Sequence, residues 1–122
     1  MSRTGLHLYE LQARIAKALG HPTRLLILDL VGGRELAFTR LQRGTGLAKA
    51  NLSQHLAVLR ASHVLTVRRE GRATFFRLRY PEITFLCGAM RDVLARHLRA
   101  ARRDADVALR QARRAPAARR PA

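Results

Sequence analysis

The sequence has no tryptophan, a single cysteine and only eight acidic residues in 122. A lone cysteine, Cys87, leaves no intrachain disulfide to staple the fold. Aromatic residues make up 5% of the chain, so a core must be built from leucine, valine, isoleucine and alanine, which favours helices over a large sheet. Long apolar runs are missing: "LLIL" at Leu25 to Leu28 is typical, against the ~20 residues of a bilayer-spanning helix. So is a charged start followed by an apolar stretch of the signal-peptide kind. These absences predict a cytoplasmic chain with no membrane partner. No Gly-rich phosphate loop, Gly-x-Ser-x-Gly turn or pair of catalytic carboxylates stands in the sequence, which predicts a protein that is not an enzyme and needs no cofactor.

What the chain has in abundance is positive charge. Its formal net charge is +16, and its 24 basic residues are all arginine except Lys17 and Lys49. Planar guanidinium groups suit bidentate contacts to phosphate or guanine, so a polyanion is the first partner to consider. A basic tail would inflate the same total, because net charge speaks to association rather than to fold. Hydrophobic residues at 48% exclude wholesale disorder, and the length fits one compact domain with appended segments.

Periodicity gives the order of elements. Leu8, Leu11, Ile15 and Leu19 form the stripe of a first helix that Gly20 ends. Pro22 opens a second helix whose Leu25 to Val31 run is apolar on nearly every side, which predicts a central position; His21 before it reads as a cap or turn residue. Leu36, Phe38 and Leu41 mark a short third segment, and "RGTG" at Arg43 to Gly46 offers two glycines for a tight turn. A fourth helix runs from about Lys49 to Ser62, striped by Leu52, Leu56 and Leu59 with Val58 alongside, making a helix-turn-helix with the third. The period then changes to two. Leu65 and Val67 alternate with Thr66 and Arg68, and Phe76 and Leu78 with Phe75 and Arg77, around a hairpin tip at Glu70 to Arg72. A last helix starts at Pro81 and carries Ile83, Leu86, Met90, Val93, Leu94 and Leu98.

The fold this predicts is mainly α with a small β-hairpin, a winged helix-turn-helix dimerising through its terminal helices. Residues 1–100 make the domain, and 101–122 a basic helical extension ending in a disordered Arg/Ala/Pro tail from about residue 112.

"ALGHPTRLLILDLV" at Ala18 to Val31, "TGLAKANLSQHLAVLRASHVL" at Thr45 to Leu65 and "RREGRATFFRL" at Arg68 to Leu78 together resemble the arsenical-resistance repressor, or ArsR/SmtB, family of winged-helix regulators. The resemblance covers about Leu8 to Leu98 in unbroken order. It implies a dimeric transcription regulator, usually a repressor that leaves its operator when an inducer binds. In such a fold the start of the recognition helix faces base edges, so Lys49, Ala50, Asn51, Ser53, Gln54 and His55 are the candidates for contact with double-stranded DNA. Gln54 is the best base reader, since its amide can pair with adenine in two places, while Lys49 and Ser53 suit phosphates. Asn51 has the chemistry, but its direction beside Leu52 is less favourable. Arg68, Arg69 and Arg72 on the wing would reach the neighbouring minor groove or its phosphates.

The family's metal sites do not carry over. Where its metal-sensing members read "ELCVCDL", this chain reads "ELAFTRL", with Ala37 and Thr39 in place of both thiolates and Arg40 beside them. The other frequent site uses Asp-x-His on the last helix; here Asp92 is followed by Leu94, and His97 is isolated, so no metal is expected. His7 and His63 read as solvent-facing. Cys87 lies three residues before Met90, and a two-fold axis nearby could gather a soft-metal or redox sensor from both copies, but a small buried thiol in a helix interface is the reading favoured over it. Ala48 stands at the fourth helix's N-cap, where relatives often place Ser or Thr, leaving that helix's first N–H groups uncapped. The competing function is a nucleic-acid architectural protein that binds through wing and tail without an operator.

Overall fold

The computed structural model describes residues 3–114, with side chains from residue 5 onward. Most of the expected basic tail therefore lies outside the described residues, and 112–114 are still helical. The order is α1 (Arg3–Leu19), α2 (Pro22–Val31), β1 (Leu36–Ala37), α3 (Phe38–Thr45), α4 (Lys49–Ala61), β2 (Leu65–Glu70), β3 (Ala73–Leu78) and α5 (Glu82–Arg114). The chain divides into two compact units between Cys87 and Gly88, a boundary that falls inside α5.

The first unit is the winged helix-turn-helix. Its core is Ile27, Leu28 and Val31 from α2, Leu41 from α3, Leu52, Leu56 and Leu59 from α4, with Val64, Leu65 and Phe76 closing from the sheet side and Ile83 from the start of α5. α2 takes the central position its sequence predicts on one face only, since Leu25 and Leu26 stay exposed. Its N-terminus is capped by His21, whose Nδ1 accepts a hydrogen bond from the Thr23 N–H at 3.1 Å. That satisfies one of the donors a helix start leaves free. Arg24 ties α2 to α1, donating from Nε to the Ala18 carbonyl at 2.7 Å.

Three features differ from the sequence reading. The wing is a three-stranded sheet in the order β1, β3, β2, with Leu36 opposite Phe76 and Ala37 opposite Phe75. A strand of two residues has no alternation to read, so β1 left no signal. Of the two glycines in "RGTG", only Gly46 takes a positive φ (70°), capping α3; Gly44 is helical. Its missing side chain serves packing, because a Cβ there would stand 2.7 Å from Leu30 Cδ1. The stripe of α1 is not spent on this core either: Ala18 and Leu19 are buried, but Leu8, Leu11 and Ile15 remain exposed.

The hairpin follows the predicted alternation, with Leu65 opposite Leu78 and Val67 opposite Phe76 on the inner face. Gly71 has φ 60° while Arg72 does not share the positive region, so the tip is a type II′ turn, whose first central position favours glycine. α4 ends in a Schellman motif: the Val64 N–H returns to the Leu59 carbonyl and the His63 N–H to that of Arg60. His63 holds the left-handed position (φ 62°) that glycine usually takes.

The second unit is the remainder of α5. It is helical from Gly88 to Arg114 and exposes Met90, Val93, Leu94, Leu98, Val107 and Leu109.

Candidate nucleic-acid interface

Three residues, Gly46 to Ala48, join α3 to α4. Thr45 Oγ1 donates to the Leu41 carbonyl at 2.8 Å and accepts from the Leu47 N–H at 3.4 Å, while Gln42 Nε2 reaches the Leu47 carbonyl. This side-chain web fixes the angle at which α4 leaves the turn. Ala48 is its N-cap and offers no side-chain acceptor, as the sequence predicts; Ala37 at the start of α3 offers none either.

With Leu52, Leu56 and Leu59 anchored in the core, the helical period sends Lys49, Ala50, Asn51, Ser53 and Gln54 to solvent. His55 behaves differently. It is half-buried, its ring centroid 4.5 Å from that of His21, and burial beside His21 and Arg24 lowers its pKa below the usual histidine range. His55 thus fastens α4 to the start of α2.

The wing arginines also divide, by strand face. Arg68 projects outward with Phe75, its guanidinium 4.5 Å above that ring. Its Nη2 and Nε reach Glu35 at 2.7 and 3.2 Å, and its Nη1 reaches Glu70 at 2.7 Å. The hydrogen bonds from Arg68 hold the Glu35 carboxyl below its ordinary range, and the two carboxylates raise the pKa of Arg68 in turn. Glu35 immediately precedes β1 and Arg68 is on β2, so this clamp crosses the central strand and sets the wing against its sheet.

Arg69 lies on the other face and opens, with Arg72 at the tip, onto a groove of about 590 Å³ between the wing, α4 and the start of α3. Lys49, Ser53 and Arg60 of α4 and Thr39 and Gln42 of α3 line it, over an apolar floor that includes Phe38 and Phe76. Among the described residues no carboxylate lines it. The fold therefore brings together Lys49, Ser53, Arg69 and Arg72 from the predicted set, and leaves Ala50, Asn51 and Gln54 on the exposed flank of α4 outside the groove. Arg60 joins them without having been singled out by the sequence pattern. Its signal is the spacing Lys49, Ser53, Ala57, Arg60, one face of a helix continued to its last turn. Cys87 is half-buried against the core of the first unit, and Met90 is exposed in the second.

Among the described residues no three His, Cys, Asp or Glu side chains gather as a metal site, and no helix is long and apolar enough to cross a membrane.

A wing beside an exposed recognition helix, both edged by cations, defines a winged helix-turn-helix of the DNA-binding class. Comparison with known proteins agrees. A helix-turn-helix domain family matches residues 19–68. The chain is 41% identical over 92 residues to Rv0081 of Mycobacterium tuberculosis, an uncharacterized HTH-type transcriptional regulator, covering 75% of this chain and 81% of that one. The crystal structure of Rv0081 superposes with a TM-score of 0.71 at 40% identity, over 77% of this chain and 95% of that one. The homodimeric winged helix-turn-helix domain Mb0332 of Mycobacterium bovis, a possible ArsR-family regulator solved by NMR, gives 0.73 at 30% identity, over 80% and 91%. A biofilm growth-associated repressor of Xylella fastidiosa is 32% identical over 78 residues, 64% of this chain and 68% of that one. The chain belongs to the ArsR-type family of winged helix-turn-helix transcriptional regulators.

Proposed function

We propose that the protein is a cytoplasmic homodimeric repressor that reads a short palindromic operator, is released by an inducer and catalyses no reaction. One observation carries the proposal: Lys49, Arg60, Arg69 and Arg72 converge on one groove beside the exposed flank of α4, with no carboxylate among the described residues that line it. None of the four side chains has a hydrogen bond or ion pair among the described residues. Cations kept free at such density are suited to phosphates.

In this reading Gln54 pairs with a base edge, and Asn51 and Ala50 border the same major groove. Lys49 and Ser53 hold the near phosphate strand, and Arg69 and Arg72 reach the minor groove or its backbone. Arg68 contributes by fixing the wing and His55 by fixing α4. The exposed Leu8, Leu11 and Ile15 of α1 in the first unit and, taken by itself, the exposed Met90, Val93, Leu94 and Leu98 stripe of α5 in the second are each an apolar face a second copy would cover, in keeping with the homodimeric M. bovis domain. The X. fastidiosa relative named as a repressor supports the direction of control.

A footprint over genomic DNA, paired with sedimentation of the purified protein, tests this. The expected result is one protected palindrome with half-sites about one helical turn (~34–36 Å) apart and a dimer in solution. Equal binding to all duplexes of one length would overturn it in favour of an architectural DNA binder, and a monomer bound to a single half-site would remove the dimer.

A further inference from the structure

We propose that the groove between α4 and the wing also binds a small amphiphilic anion, an aromatic carboxylate, and that this ligand competes directly with DNA. The competition rests on the assignment of the groove's rim to DNA phosphates; the ligand site does not. The groove has two layers of opposite chemistry. Its rim is cationic, with Lys49, Arg60, Arg69 and Arg72 and no lining carboxylate to neutralise them. Its floor is apolar, with Phe76 almost completely buried and Phe38 half-buried beneath the rim.

A DNA phosphate satisfies the rim but has nothing to offer the floor. A flat ring bearing a carboxylate satisfies both: the ring lies over Phe38 and the exposed edge of Phe76, and the carboxylate takes a bidentate guanidinium contact above them. The volume of about 590 Å³ lies within the ~300–1,000 Å³ of small-molecule sites, which combine an apolar lining with a few placed polar groups. The ligand and DNA draw on the same cations, so each excludes the other. At a free concentration of 100 times its Kd, a strictly competing ligand lowers the apparent DNA affinity about 100-fold. Release of the operator then needs no signal carried from a distant site.

Calorimetric titration of the full chain with 2-naphthoate, with and without a saturating 20-base-pair duplex, tests the proposal. Naphthoate is expected to bind, acetate and 2-naphthylmethanol at least tenfold more weakly because each lacks one half of the match, and the duplex to displace it. Ala57→Glu places a carboxylate on the groove wall at an exposed helical position and should weaken naphthoate at least tenfold. Absence of naphthoate binding, equal binding to Ala57→Glu, or acetate binding as well as naphthoate would each overturn the site. Naphthoate retained beside saturating duplex would overturn the competition. A duplex that fails to bind the free protein would sink the DNA reading instead, while the naphthoate and Ala57→Glu titrations, which need no DNA, still decide the ligand site.

Discussion

Arg68 and Arg69 are neighbours on one strand and differ in everything that matters for binding. Arg68 faces outward, where Glu35, Glu70 and the ring of Phe75 occupy its guanidinium. Arg69 faces the groove with no partner of its own among the described residues. A strand alternates its faces every residue, so one step along the chain turns a structural cation into an available one. Total charge therefore overstates the binding surface: a guanidinium already held by two carboxylates gains little from a phosphate, while an unpaired one gains a charge-assisted hydrogen bond.

The comparison breaks if the two arginines prove equivalent on DNA. Replacing Arg69 and Arg72 together by alanine should lower affinity for every duplex on the order of 10- to 100-fold. It should also reduce the slope of log affinity against log salt by roughly 0.9 for each phosphate no longer neutralised, ~1.8 for the pair. Arg68→Ala should cost less than about threefold and leave the salt slope unchanged, while lowering the melting temperature, because it releases the wing from Glu35. Equal losses for Arg68 and Arg69, measured by fluorescence anisotropy at several salt concentrations, would show that the clamp opens on DNA. Gln54→Ala sharpens the contrast from the other side, because a base reader sets preference rather than overall grip. It should cost about 1–3 kcal/mol of discrimination at one base pair in each half-site, with non-specific affinity unaltered.

The strand alternation that separates Arg68 from Arg69 was legible in the sequence, as was the Leu52, Leu56, Leu59 stripe that aims α4, because both periods are local. What decides the fate of Arg68 was not. Glu35 lies 33 residues away and meets it only through the register of β1 on β3 and β3 on β2. His55 was legible as a polar residue on the recognition helix, but not as the partner of His21, since the packing of α4 against α2 is tertiary. The exposed stripes of α1 and α5 were legible as apolar, and that of the last helix as a face a second copy could share, but periodicity names an apolar face without naming what buries it.

Helix ends supply a smaller contrast of the same kind. α2 begins at a side-chain cap and α4 at Ala48, which has none; α4 closes on His63 in the left-handed position. Ala48→Ser should therefore stabilise the free protein by about 1 kcal/mol, and His63→Gly by about 0.5–1 kcal/mol as the strained φ is relieved. If the first N–H groups of α4 meet DNA phosphate, their amide exchange should slow on binding in the wild type. Equal protection in the free and bound protein would remove that contact.

The smallest effect concerns pH and tests whether His55 belongs with the anchoring residues. Its pKa is lowered in the folded chain by burial and by the proximity of His21 and Arg24, so the unfolded chain takes up the proton more readily. The stabilisation is fully present above the unfolded pKa of ~6.5 and is lost as pH falls from there through the lowered folded value. Urea midpoints should thus decline between pH 6.5 and 5.5 more steeply for the wild type than for His55→Gln, with the two curves parallel above pH 7. The His21 ring that His55 packs against is itself held in place, its Nδ1 accepting from the Thr23 N–H, so the contact between α4 and α2 is a fixed one. Parallel curves throughout would show that the packing of His55 against α2 contributes nothing to stability that a proton can remove.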